Sequence, residues 1–458
     1  MFRKNIRVLT GTLLIALALS LAGCGAQPPA DGTETFGPTP TPTAYWARVQ
    51  DRTFYTRDKR LTLDVPGDAA ELIAQLAPFE ELETVTFTGG AVDRETQDAL
   101  RSARPEVTFR CDTQILDRVW PWDTKTLSLA GRSLTEADLE ALRDGLSLLG
   151  SVTTVDLTGC GLGTDTLRAF AEGLDGIAVA YTVPLYGKDF SSLDEEIDLS
   201  GTPVDDGASG LEAALPLFPR LKKVVMCDCG PDSEEMDALN KKYEDIRFVW
   251  AVHFSIWTVR TDATNFICNR TYNKASLYSW QCRELRWCTD LIALDLGHKN
   301  ITELDFLYDL PHLQYLILAE DPVRDLTPIG SLKELKWLEI FWTKAEDLSP
   351  LAECTALRDL NISYVYAGAD NSFNALSRMT WLERLWCCGS NMKGYGVEKL
   401  REALPGCEIF YEVYGEPTGG TWRYHPHYYE MRDAFEMYYM NSGEDSSAQP
   451  NSKIPAPG

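Results

Sequence analysis

Positive charge is scarce in this chain. Its 458 residues hold 43 Lys and Arg against 68 Asp and Glu, a formal charge of −25 at pH 7. Phosphate backbones are bound through Lys and Arg, and anionic lipid attracts basic clusters. Nucleic acid and electrostatic adhesion to a membrane are therefore excluded as modes of action. Histidine is rare as well, with five residues, and no pair of Cys-x-x-Cys motifs gives a zinc spacing. Apart from one N-terminal stretch there is no long apolar run, so no later segment is long enough to span a bilayer. Gly-x-Ser-x-Gly, His-Glu-x-x-His, P-loop and dinucleotide fingerprints are all missing. The expectation is a chain that is not an enzyme, with no cofactor and no metal. Carboxylate pairs are too common in so acidic a sequence to count against it.

The first residues are organised differently from the rest. Arg3, Lys4 and Arg7 precede an apolar stretch at 8–21, followed by Leu21, Ala22, Gly23 and Cys24. The run is short of the roughly twenty residues a span needs, and it has the proportions of a secretory signal. Leu-Ala-Gly-Cys resembles the bacterial lipobox. That resemblance implies a signal peptide at 1–23 and fatty acylation of Cys24, leaving the chain lipid-anchored on the outer face of a membrane. Two acyl chains hold far better than one, at about 0.8 kcal/mol per buried methylene. Residues 24–59 begin with a Pro- and Thr-rich tract that cannot bury a core and reads as an extended tether.

Beyond the tether the sequence repeats. Leu291, Leu313, Leu335 and Leu357 fall every 22 residues, as do Leu294, Leu316, Leu338 and Leu360, and Leu296, Leu318, Ile340 and Ile362. A second register carries Leu304, Leu326 and Leu348, each after an acidic residue, and then Leu307, Ile329 and Leu351. The unit L-x-x-L-x-L, a turn, and D-L-x-P-L-x-x-L resembles the leucine-rich repeat, in the 22-residue class of internalin-like surface proteins. That resemblance implies an α/β solenoid, with a parallel sheet on its concave face and helices and turns on its convex face. One repeat cannot bury its leucines alone, so stacking supplies the core.

Upstream the pattern loosens. Leu82-x-x-Val85-x-Phe87, Val152-x-x-Val155-x-Leu157 and Leu221-x-x-Val224-x-Met226 fit the strand motif, and amphipathic stretches follow at 136–146, 164–174 and 233–243. Cys160 and Cys229 stand where the family takes Asn or Cys to serve the backbone of the turn. Residues 60–260 thus read as irregular, longer repeats, 261–290 as a joining segment or distorted repeat, and 291–411 as the regular array. An aromatic stretch at 412–440 reads as an end cap over the last repeat. Its His425 and His427 are weak candidates for metal ligands beside that role. Residues 441–458 have the composition of a disordered tail. Cys24 aside, eleven cysteines remain, and sequence leaves their pairing open.

In a strand the intervening side chains face away from the leucines. The concave surface projected from the regular array carries Tyr315, Ile317, Trp337, Glu339 and Phe341, with Trp342 next. Asp359, Asn361, Tyr364, Arg384 and Trp386 continue it. Neighbouring strands lie about 4.8 Å apart, which merges these residues into one aromatic patch with acidic edges. Such patches mark interaction sites rich in Trp, Tyr and Arg, unless the cap or another part of the chain covers them. The functional expectation is a membrane-anchored module binding a protein, peptide or glycan. A structural subunit of an envelope assembly, or an enzyme or substrate-delivery lipoprotein acting on wall material, are the alternatives.

Overall fold

The computed structural model describes residues 45–268, 276–392, 394–411 and 425–437. Cys24, the signal segment, most of the tether and the tail from 441 lie outside them. Among the described residues no helix is long and apolar enough to cross a membrane.

The chain forms two compact units. The smaller comprises residues up to 89 together with 95–109. It opens with an antiparallel hairpin of Trp46–Val49 and Arg52–Tyr55. A three-stranded sheet follows, ordered Arg60–Asp64, Thr84–Thr88, Thr108–Arg110. Alternation in Arg60–Asp64 buries Leu61 and Leu63 and leaves Arg60, Thr62 and Asp64 exposed. Helix Ala69–Leu76 starts where Asp68 accepts from the amides of Ala70 and Glu71, satisfying donors that a helix N-terminus leaves open.

The larger unit begins with two copies of the same hairpin-plus-sheet module. Hairpins start at Thr113, Thr182 and Ala251, 69 residues apart. The first two each lead into three parallel strands: Thr126–Ser128, Thr154–Asp156 and Ala178–Ala180, then Glu196–Asp198, Lys223–Val225 and Arg247–Val249. Helices Glu136–Leu148, Thr164–Glu172, Ser209–Ala214 and Ser233–Lys242 make the crossings. Glu136–Leu148 is closed by a capping box between Thr135 and Asp138, and Ser233–Lys242 by one between Asp232 and Glu235. The hairpins were not legible in the sequence. Their two-residue turns place Leu116, Tyr186 and Ser255 at positive φ without the Asn-Gly or Asp-Gly signature that announces such turns.

The third hairpin leads directly into a seven-stranded sheet. Its strands are Asn265–Ile267, Ala293–Asp295, Tyr315–Ile317, Trp337–Glu339, Asp359–Asn361, Arg384–Trp386 and Glu408–Phe410. All are parallel, each in register with the next. The first strand falls inside the segment read as a joiner, so the array starts one repeat earlier than its regular spacing suggests. The leucine columns all point inward: Leu294, Leu316, Leu338 and Leu360 have no exposed surface. On the opposite side of the repeats run short 3₁₀ turns, Asp305–Asp309, Thr327–Ser331 and Ser349–Glu353. Asp325 and Asp347 explain the acidic residue of the motif. Asp325 accepts from the amide of Thr327, and Asp347 from that of Ser349, both at 2.8 Å. Pro328 and Pro350 occupy the first turn, where no amide is needed.

A last helix, Pro426–Ala434, is begun by His425, whose Nδ1 accepts from the amide of His427, with Pro426 at the first position. This helix corrects the expected end cap. Its buried residues Met431 and Phe435 enter a cluster with Ala293, Tyr315, Trp337, Trp386 and Cys388, on the side of the sheet away from the leucines. The segment lies along the concave face because that face is the aromatic one, and burying Met and Phe against aromatics contributes about 1.5–3 kcal/mol per side chain.

Candidate functional site

Strand geometry brings the projected residues together as expected. Trp337 pairs in register with Tyr315 on one side and Asp359 on the other, and Asp359 pairs with Arg384. One row on, Ile317, Glu339, Asn361 and Trp386 align. Trp386 stacks on Phe410 of the final strand at 4.7 Å between ring centroids. The Trp337 indole N–H donates to Glu339 Oε1, and the Arg384 guanidinium sits 5.5 Å from the Trp337 ring centroid.

Their exposure is a different matter. Tyr315, Trp337, Asp359, Arg384 and Trp386, projected onto an open bowl, are buried, with Trp337 and Trp386 each 1% exposed. Helix Pro426–Ala434 covers them. Tyr428 lies 6.0 Å from Trp337 between centroids, Arg358 donates to Glu430 at 2.7 Å, and His427 Nδ1 lies 2.9 Å from Asp359 Oδ2. Asp359 also takes Arg384 Nε on its other oxygen at 2.5 Å. Burial pushes the Asp359 carboxyl up, against the pull of Arg384 and His427. Burial also holds His425 below the ordinary imidazole range, aided by the charge of Arg384.

Ile317, Glu339 and Phe341 are half-buried. Beyond them the chain makes a sharp turn that sequence reasoning grouped with the concave face. His298, Glu320, Trp342 and Tyr364 occupy this turn in successive repeats, all in the left-handed region at φ 61°, 64°, 57° and 57°. Each donates its amide to the following repeat: Trp342 to the Ser363 carbonyl at 2.9 Å, Tyr364 to that of Cys388 at 2.9 Å. Bulky side chains rarely adopt this conformation, at a cost of about 1–3 kcal/mol. The result is a ledge of side chains from successive repeats along the rim. Trp342 is 53% exposed and its ring lies 5.2 Å from that of half-buried Tyr364. Tyr366 follows, also exposed. At the other end His298 and Glu320 pair at 3.1 Å. The ledge ends at Gly389, φ 64°, where a Cβ would run into the Tyr364 ring.

Parallel in-register strands at a 22-residue step, with inward leucines and short turns behind, decide the architecture. The fold is a leucine-rich repeat solenoid. No family model matches the chain, and no curated protein does. Among solved structures it is similar to internalin C2 of Listeria monocytogenes, at 15% identity and TM-score 0.27 over 47% of this chain and 80% of that one. A second internalin of that organism, inlF, gives 12% and 0.28 over 80% and 91%. A leucine-rich repeat protein of Leptospira interrogans gives 15% and 0.30 over 73% and 91%. Superpositions this loose carry no argument about function, and the solenoid is assigned on its own register and spacing.

Cysteines are absorbed into the same architecture. Of the eleven from Cys111 to Cys407, all but Cys407 are buried. The Cys229 thiol donates to the Leu199 carbonyl of the preceding strand segment at 3.1 Å, the service to the turn that the repeat resemblance implied.

Proposed function

We propose that this chain is an exported leucine-rich repeat module, anchored through an acylated Cys24, that binds a protein ligand along the rim of its solenoid. It is a binder rather than an enzyme. The carrying observation is the ledge: Trp342 and Tyr364 stand side by side beside the filled concave groove, Trp342 is more than half exposed, and so is Tyr366, two residues beyond Tyr364 along the chain. The left-handed turn recurs in each of these repeats because its amide bonds the next repeat, and that fixed backbone holds the Trp342 indole out to solvent at the rim. Exposed Trp and Tyr in a rigid frame lose little entropy on binding and dominate interfaces. Repeat solenoids bind through extended surfaces of this kind.

A photoreactive aromatic residue placed at Trp342 of the anchored protein, on intact cells, tests the reading. The expected result is one discrete crosslinked protein. Soluble wild-type ectodomain should compete for it, and Trp342→Ala/Tyr364→Ala ectodomain should compete at least tenfold less well. Absence of a crosslink, or equal competition by the variant, would refute it.

A further inference from the structure

Where the C-terminal helix meets the sheet, Asp359, His425 and His427 converge. One ligand atom from each lies within 4.8 Å of the others. Asp359 belongs to a strand of the regular array, His425 is the N-cap of the helix, and His427 is in its first turn. We propose that these three residues bind a divalent transition ion of the zinc class, which staples the helix into the concave groove.

The donor set selects the ion. Two imidazole nitrogens and one carboxylate oxygen suit zinc, and three protein ligands leave a fourth position for water. Calcium and magnesium require oxygen donors and are poorly served here. Ligands around a tetrahedral zinc lie about 3.3 Å apart, from bond lengths near 2.0 Å. The three ligand atoms lie within 4.8 Å of one another, so binding the ion draws them together by about an ångström or more, and the partly buried His425 ring has room to take up part of that shift.

The surroundings have the form of an outer coordination shell. Glu383 Oε2 lies 3.5 Å from His427 Nε2, so His427 presents Nδ1 to the ion while its other nitrogen faces a carboxylate. Arg384 holds the second oxygen of Asp359 at 2.5 Å, leaving Oδ2 for the metal. Outer partners of both kinds orient ligands in metal sites. His425 Nδ1 is committed to the His427 amide, which leaves Nε2 to coordinate. The Arg384 charge does not forbid the ion, because Glu383 adjoins it in sequence and Glu408 pairs with it in register. Coordination requires the lone pair of His427 Nδ1, so any hydrogen that nitrogen shares with Asp359 Oδ2 passes to solvent as the metal–nitrogen bond forms, and a water fills the fourth position.

The ligands come from parts of the chain far apart in sequence, so the ion ties down a helix otherwise held by side-chain packing and the Arg358–Glu430 ion pair. The test uses the full chain purified free of metal and titrated with cobalt(II). A single site should appear with the visible absorption of tetrahedral cobalt and without the near-ultraviolet band of a thiolate ligand. Zinc should displace the cobalt, and zinc should slow amide exchange across 426–434. His425→Asn keeps a cap acceptor, so the helix stays seated while affinity drops at least tenfold. Asp359→Asn abolishes binding, and amide exchange across 426–434 in chelator shows whether its helix remains docked. No one-to-one binding, a thiolate band, or equal affinity in wild type and His425→Asn would overturn the proposal.

Discussion

At the scale of single residues, Asp321 is the most consequential position outside the rim. It stands three residues after Leu318, the place that Cys160 and Cys229 fill in other repeats. Fully buried, it accepts on Oδ1 from the amides of Lys299 and Ile301, while Oδ2 has no partner. Burial drives its pKa up to about 8 from an ordinary value of 3.8. The folded chain therefore keeps a proton that the unfolded chain sheds above pH 4. Unfolding releases that proton, so stability falls as pH rises from about 4 to about 8, by up to about 1.4 kcal/mol per unit. Asp321→Asn retains the acceptor and has no charge to bury. We expect chemical denaturation midpoints of the variant to match wild type near pH 4 and exceed it at pH 8.5. Parallel pH profiles for the two proteins would show that Asp321 does not titrate in this range. The motif position was readable from the sequence; the shift was not, because it comes from the enclosure that neighbouring repeats build.

At the scale of elements, helix Pro426–Ala434 is the one whose partner the sequence misassigned. Its aromatic composition marked it as a covering element, and the concave strands were marked as an aromatic surface. Joining the two requires knowing that the helix returns across the strands, and no local pattern encodes a return. Phe435 and Met431 supply its apolar contact, and removing a buried Phe costs about 3–5 kcal/mol. Phe435→Ala should therefore undock the helix without unfolding the array. Amide exchange in 426–434 should rise at least a hundredfold while protection of the Trp337–Glu339 strand core persists. If exchange rises equally in both, the helix is an integral part of the fold. The turns tell the opposite story. Asp325 and Asp347 were legible from spacing as a repeated acidic position, and the bonds they accept from Thr327 and Ser349 are completed within three residues.

At the scale of the whole molecule, the proposed function joins an acidic solenoid to a lipid anchor at Cys24. Strong negative charge gives no attraction to anionic headgroups, so under the proposed anchoring at Cys24 retention at the membrane would depend on the acyl chains. Cys24→Ser should move the chain from the membrane fraction to the medium or a soluble fraction and abolish incorporation of a labelled fatty acid. A variant that stays membrane-bound would point to retention of the apolar segment at 8–21 as the anchor. Within the regular array each repeat leans on its neighbours through the leucine columns, and such arrays transmit local damage to adjacent repeats.

The sequence by itself determined the repeat length, the inward leucines, the strand positions within 291–411 and the side on which the aromatic residues emerge. Those follow from periodicity, and periodicity is written along the chain. Tertiary structure alone decided that Trp337 and Trp386 are covered, that Trp342 and Tyr364 form a ledge on left-handed turns, and that Asp359 meets His425 and His427. These depend on a helix docking across strands distant in sequence and on backbone held by the next repeat, contacts that no single segment contains.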